Sequence, residues 1–255
     1  MVNLERQDEI LGILSRKKRV SVPDLAKSLY VSEATIRRDL QQMANLGLIR
    51  RTHGGALIAR DSAQESAFAM REASQLPAKK AICALVVNYL QDQSTLFVDS
   101  SSTMLPIGTM LQRFRHLTLV THGIRTALML SNLDNVDVFL AGGKIENFSN
   151  SILGSTVMEF YERMNADYAL LSCSGINDNG DITDDNPEIA KVKEQIIKKA
   201  KKVYLLCDSS KFGKTRMTTS FSIDDVDVLF TDKRPNESYL KLLEAHHCQV
   251  VTTLP

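Results

Sequence analysis

Two groups of residues in this chain have types and spacings suited to binding charged ligands. The first is Val31-Ser32-Glu33-Ala34-Thr35-Ile36-Arg37-Arg38-Asp39-Leu40, followed by Arg50-Arg51-Thr52-His53-Gly54-Gly55-Ala56. A hydroxyl that caps a helix, small residues in its first turn and two adjacent arginines suit entry into a DNA groove. Guanidinium groups grip guanine edges bidentately or hold phosphates. The second group lies at the carboxyl ends of apolar runs: Asp99-Ser100-Ser101-Ser102-Thr103, Thr121-His122, Gly142-Gly143-Lys144, Ser174-Gly175, Asp208-Ser209-Ser210-Lys211 and Asp232. Gathered on one edge, they would bind a phosphorylated sugar or polyol. Asp99 and Asp208 would accept bonds from sugar hydroxyls, Ser100 to Thr103 would cradle an anion, and Lys211 would hold a phosphate as a point charge. Each group also has a plainer reading, as a solvated charged helix face in the first case and as N-caps and strand-ending turns in the second.

The first group needs a small scaffold. Ile10, Leu11, Ile13 and Leu14 give an apolar stripe to a helix over about 5–17, which ends in the basic run Arg16-Lys17-Lys18-Arg19. Val20-Ser21-Val22 reads as extended, and Pro23 opens a second helix from Asp24 to Leu29. Ser32 caps a third helix that runs to about Asn45 and stops at Gly47. At roughly 100° per residue, Ile36, Leu40 and Met43 face inward. Ala34, Arg38, Gln41 and Asn45 then face outward, flanked by Thr35 and Arg37. Leu48–Arg51 and Ala56–Ile58 form a hairpin across Gly54-Gly55, whose small size permits a tight turn and close approach to phosphate. Three helices and a hairpin in so short a span predict a winged helix-turn-helix.

The second group needs a sheet. The predicted strands are 95–99, 117–121, 136–141, 168–173, 203–208, 226–231 and 249–252, with helices over 79–90, 103–114, 123–133, 187–200 and 237–246 between most of them. Apolar strands alternating with amphipathic helices predict a Rossmann-like α/β domain, a parallel sheet covered on both faces. Ligands of such sheets sit beyond the carboxyl ends of the strands. The expected organisation is a DNA-binding domain over 1–58, a polar linker over 59–77 and an effector-sensing domain over 78–255.

Composition agrees with this division. The 255 residues are 44% hydrophobic and 24% charged, as in ordinary globular proteins. The net charge of +1 is uneven: residues 1–60 hold eleven Lys/Arg against six Asp/Glu, a net of +5, which leaves −4 on the rest. A basic lobe on an acidic body expects a polyanion for that lobe alone. Cys83, Cys173, Cys207 and Cys248 form no C-x-x-C pair and read as small buried hydrophobes in a reducing compartment, with no metal site. No apolar signal region or bilayer-length apolar run occurs, so the expected location is cytoplasmic, with no membrane partner.

The segment VSVPDLAKSLYVSEATIRRDLQQMANLGLIRRTHGGA, from Val20 to Ala56, closely resembles the DNA-binding domain of the DeoR family of bacterial transcription regulators, with TIRRDL and HGGA both intact. Leu140-Ala141-Gly142-Gly143, Ser174-Gly175-Ile176 and Asp208-Ser209-Ser210-Lys211-Phe212-Gly213 resemble that family's sensor domain. The resemblance implies a double-stranded DNA operator, a sugar-phosphate effector and a fold related to ribose-5-phosphate isomerase and coenzyme A transferases. It also places Glu188 and Lys193 near the effector. Where many members carry Asp-x-Gly-Thr-Thr, this chain has Asp99-Ser100-Ser101-Ser102-Thr103. A side chain at 101 narrows the backbone approach to phosphate, while hydroxyl donors remain. The expected function is a regulator, a repressor of a sugar or polyol catabolic operon released by a phosphorylated intermediate. It would act as a homo-oligomer, dimer or tetramer, without a cofactor. The competing expectation is an active sugar-phosphate isomerase or transferase with a DNA-binding appendage. Asp99, Asp178 and Glu188 are its available general bases, but no pair of catalytic acids stands at isomerase-like positions.

Overall fold

A computed structural model describes residues 6, 7, 9, 10, 13, 14, 17, 19–45, 49–52, 54–57, 68, 70–147 and 149–253. The chain divides into two units, Met1–Ser74 and Gln75–Pro255.

In the first unit, the described residues between 6 and 17 are helical, and Ile10 and Leu14 are buried. Strand β1 (Arg19–Ser21) leads into α1 (Val22–Leu29), and α2 spans Glu33–Asn45. Ser21 caps α1 by accepting the Asp24 N–H at 3.2 Å, so the helix starts at Val22, ahead of the predicted Asp24. As the wheel requires, Ile36, Leu40 and Met43 are fully buried, in one cluster with Ile10, Leu14, Leu25 and Ala56. The wing is β2 (Arg50–Thr52) and β3 (Gly55–Leu57). Here the predicted two-stranded hairpin is corrected, because β1 completes a three-stranded sheet of order β1-β3-β2, pairing Arg19 with Leu57 and Ser21 with Gly55. Only glycine fits at 55, where a Cβ would lie 2.1 Å from the Val20 carbonyl oxygen. The predicted helix stop at Gly47 and residues 59–67 and 69 of the predicted linker lie outside the described residues; of the rest, 68 and 70–73 are helical, Phe68 is buried, and a further helix opens at Leu76.

In the second unit, the parallel sheet runs β15-β14-β12-β9-β4-β5-β6. Its strands are β4 (Thr95–Val98), β5 (Leu117–Thr121), β6 (Val136–Leu140), β9 (Ala166–Leu171), β12 (Ala200–Leu206), β14 (Val228–Thr231) and β15 (Gln249–Thr252). Strand alternation sends Leu96 and Val98 to one apolar layer and Phe97 to the other, so both faces are covered. The covering helices are α3 (Leu76–Val86), α4 (Ile124–Leu130), α5 (Ser155–Glu162), α6 (Pro187–Lys198) and α7 (Glu237–Ala245).

Two departures affect the rim. The predicted 103–114 helix is a turn at Ser101–Met104, a 3-10 turn at Leu105–Ile107 and a four-residue helix at Gly108–Leu111. The reason is local: the Asp99 carboxylate takes the Ser101 N–H at 2.8 Å, and the Met104 N–H bonds the Ser101 carbonyl at 3.1 Å, which closes a tight turn instead of a helix. The sequence reading also lacked antiparallel pieces, namely β7 (Lys144–Glu146) with β8 (Ser151–Leu153), and β10 (Gly175–Ile176), β11 (Asp181–Asp184) and β13 (Thr218–Ser222). They are short and carry polar side chains, so they show no apolar period. All four cysteines are buried and unbridged, as expected. No described helix is long and apolar enough to cross a membrane.

Candidate DNA-reading face and sensor rim

At the start of α2, the Ser32 hydroxyl accepts the Thr35 N–H at 3.2 Å and lies 2.9 Å from the Thr35 hydroxyl, so both side chains are spent on the cap. Ala34 beside them is exposed and adds no bulk. One turn on, Arg37 is tied to Glu33 at 2.9 Å on its own helix. Arg38 is exposed and has no hydrogen bond or ion pair among the described residues. Gln41 accepts a 2.6 Å bond from Arg51 of β2, which braces the wing against the helix. Arg50 is exposed, and His53 and the Asn45 side chain lie outside the described residues.

The two wing glycines separate. Gly54 is exposed with open space around its Cα, whereas Gly55 is buried against Val20 and Ser21 and serves packing. The expectation that Gly55 lets phosphate approach is therefore corrected: what approaches it closely is β1. Sequence reasoning also missed Asp39, which is 2% exposed and accepts bonds from Arg6 at 2.6 and 3.1 Å. The pair fixes the N-terminal helix to the back of α2.

In the sensor unit, the end of β4 builds downward into a buried polar network. Asp99 is 1% exposed, and its oxygens accept the Ser101 N–H at 2.8 Å and the Ser172 N–H at 2.9 Å. Burial pushes its carboxyl above the usual range, opposed by Lys193, 3.9 Å away, and by these bonds. Lys193, 3% exposed, donates to the Ser172 carbonyl at 2.6 Å and to Asp184 at 2.7 Å. Burial alone would lower the Lys193 ammonium, but attraction to Asp184 and Asp99 overcomes it and the group is raised. Asp184 also accepts from Ser174 at 3.2 Å and Ser220 at 2.7 Å. Ser102 receives a 3.1 Å bond from buried Lys79, and Thr103 one of 3.1 Å from Ser172. Asp99 is thus a buried holder of the turn, with its bonds already directed inward.

The other rim positions fall into two sets. Thr121 is fully buried and accepts the Gly123 N–H at 3.0 Å. Asp208 is 2% exposed and caps the following 3-10 turn, accepting from the Ser210 N–H at 3.1 Å; Asp232 takes the Ser209 N–H at 2.6 Å. Lys211 ends that turn half-buried, with no ion pair among the described residues. Gly142, Gly143, Lys144 and Glu188 are exposed. Ser100 to Thr103, Ser172 and Ser174 belong to neighbouring strand ends, and Lys211 follows β12, two strands from β4. Lys144 follows β6, four strands from β12, or about 19 Å at the usual strand spacing. The strand ends therefore do not all converge.

His122 lies just beyond β5, fully buried, with Nδ1 3.2 Å from the Tyr161 hydroxyl. Burial, aided by Lys193, lowers its imidazole to about 3. An open basin lined by Thr95, Asn165, Lys198 and Lys201 sits at the opposite, amino-terminal ends of the strands and holds none of these residues. Among the described residues no three His, Cys, Asp or Glu side chains gather as metal ligands do.

Residues 6–62 match the DeoR-like helix-turn-helix domain and residues 74–233 match the DeoR C terminal sensor domain. The chain belongs to the DeoR family. It is a DNA-binding transcriptional regulator with a mixed α/β sensor domain. It is 31% identical over 98% of its length to 99% of the glycerol-3-phosphate regulon repressor of Escherichia coli K12. It is 30% identical over 94% of its length to 95% of the HTH-type transcriptional regulator GolR of Listeria innocua. These relatives are named as a repressor and a transcriptional regulator, and this chain is a regulator rather than an isomerase with an appendage. Among solved structures, ribose 5-phosphate isomerase A from Neisseria gonorrhoeae matches 61% of the chain and 56% of its own, at 11% identity and a TM-score of 0.39. That likeness concerns the fold alone.

Proposed function

We propose that this DeoR-family protein represses its target genes and leaves the operator when a phosphorylated sugar or polyol binds at the rim formed by the ends of β4, β9 and β12. The observation that carries the reading is the contrast among the rim lysines. Lys79 and Lys193 are buried and hydrogen-bonded to the protein, whereas Lys211 is only half-buried and has no ion pair among the described residues. On the end of β4, two strands away, the Ser100–Thr103 turn carries a run of hydroxyl side chains. A cation and donors at the carboxyl ends of a parallel sheet suit an anionic, hydroxylated ligand. The repressor named for the glycerol-3-phosphate regulon supports that ligand class.

On this reading, Asp99, Lys193 and Asp208 position the turns, and Lys211 with the serine run contacts the ligand. Thr121, Gly142, Gly143, Lys144 and Glu188 lie outside this smaller pocket. DNA is read by Arg38, Gln41 and Ala34, with Ser32, Thr35, Arg37, Arg50, Arg51, His53 and Gly54 toward the phosphates. Ligand binding shifts the population away from the DNA-competent state, in a cytoplasmic homo-oligomer, dimer or tetramer, on a repeated or palindromic operator.

A thermal-shift screen of the purified protein against pentose, hexose and glycerol phosphates, with the unphosphorylated compounds as controls, tests the pocket. Stabilisation by a phosphorylated member alone, together with operator release, is expected. Lys211→Ala should keep operator affinity and lose the response. A Lys211→Ala protein that releases DNA normally would falsify this assignment.

A further inference from the structure

Tyr30 is an unusual residue for its place. It ends α1 in the left-handed conformation, at φ 55° and ψ 41°, where glycine or asparagine is favoured. Its side chain is 94% exposed and has no ring contact or hydrogen bond among the described residues. The fold accounts for the backbone, since the Tyr30 N–H closes the end of α1 onto the Ala26 carbonyl, but it gives the side chain no contact among the described residues. Two residues later Ser32 caps α2, so the Tyr30 Cα lies within about 7 Å of that helix start. Lys27 of α1 and Arg37 and Arg38 of α2 are exposed as well. A large side chain with an apolar ring and a polar tip, left outside the fold beside the reading helix, points to an external contact.

We infer that the Tyr30 hydroxyl donates a hydrogen bond to a phosphate of the operator backbone at the edge of the groove that α2 enters. Tyrosine hydroxyls are among the groups that hold DNA phosphates and set the register of a reading helix. The contact is neutral, so unlike an arginine contact it displaces no counterion. The inference rests on α2 being the groove-facing helix, and Arg38→Ala measured in parallel tests that premise separately.

The experiment compares full-length wild type with Tyr30→Phe, Tyr30→Asn and Arg38→Ala, titrated on operator DNA and on unrelated duplex across a range of salt concentrations. Tyr30→Phe should weaken binding to both DNAs by about fivefold, as expected for one neutral hydrogen bond, with the salt slope unchanged. Tyr30→Asn should weaken binding at least as much while leaving the melting temperature equal or higher, because asparagine tolerates the left-handed region. Unchanged affinity in Tyr30→Phe, with Arg38→Ala impaired, overturns the phosphate contact and leaves the groove assignment standing. Unchanged affinity in Arg38→Ala overturns the groove assignment itself. A lower melting temperature in Tyr30→Asn assigns Tyr30 to the fold and also overturns the inference.

Discussion

One cation in each unit shows two opposite uses of positive charge. Arg38 of α2 projects into solvent without a partner among the described residues, whereas Lys193 of α6 is 3% exposed and bonded to Asp184 and the Ser172 carbonyl. An exposed cation keeps its charge available for a polyanion, whose binding releases counterions. A buried cation is costly unless each donor finds an acceptor, and once paired it fixes the surrounding geometry. Positive charge thus serves contact at Arg38 and shape at Lys193.

This contrast can be broken most directly at Lys193. Lys193→Ala leaves Asp184 and Asp99 buried without their cation, and the stability of the sensor unit should fall by about 3–5 kcal/mol in chemical denaturation. Asp184→Asn keeps acceptors for Lys193 and Ser220 and should cost less. A loss of under about 1 kcal/mol in Lys193→Ala would put that lysine among the surface cations.

The buried side of the comparison also has a pH signature. The His122 imidazole is lowered from 6.5 to about 3, so the folded state favours its neutral form. Its contribution is fully present above pH 6.5 and is lost as pH falls from there toward 3. The slope is at most one proton, about 1.4 kcal/mol per pH unit. His122→Gln should flatten that limb of the stability curve. An unaltered acid limb would mean that His122 is not held neutral.

At Arg38 the expected effects reverse. Arg38→Ala should cost about 1–3 kcal/mol of operator affinity if it reads a base, while stability stays within about 0.5 kcal/mol and ligand response is unchanged. The smallest effect is expected at Arg37, whose exposed pair with Glu33 is worth about 0.2–0.5 kcal/mol of helix stability. A larger stability loss in Arg37→Ala, measured by thermal melting, would show that the DNA-reading face is not a pure contact surface.

Much of this was legible where burial follows a period. The inward set Ile36, Leu40 and Met43 and the strands at 117–121 and 249–252 came directly from apolar spacing. The carboxyl-end rule named the candidate rim residues. The chemistry beneath it did not appear, because Asp99, Asp184, Ser172 and Lys193 meet through contacts distant in sequence. One signal was available: Lys193 shares the apolar stripe of α6 with Ala190 and Ile196, and Lys79 shares that of α3 with Ile82 and Val86. A lysine inside such a stripe needs a buried acceptor. The turn at Ser101–Met104 was hidden for another reason, since the acid before it competes with helix formation by bonding the backbone.

The closeness of Gly55 to Val20 bears on how the first unit could be trimmed. Because β3 is sandwiched between β2 and β1, the wing is held partly by residues that precede the whole helix-turn-helix. A fragment beginning at Val22 would keep both α1 and α2 but lose the strand that covers one edge of β3. Transplanting this reading head onto another protein therefore requires β1 as well, because the wing's support comes from a strand that precedes both helices.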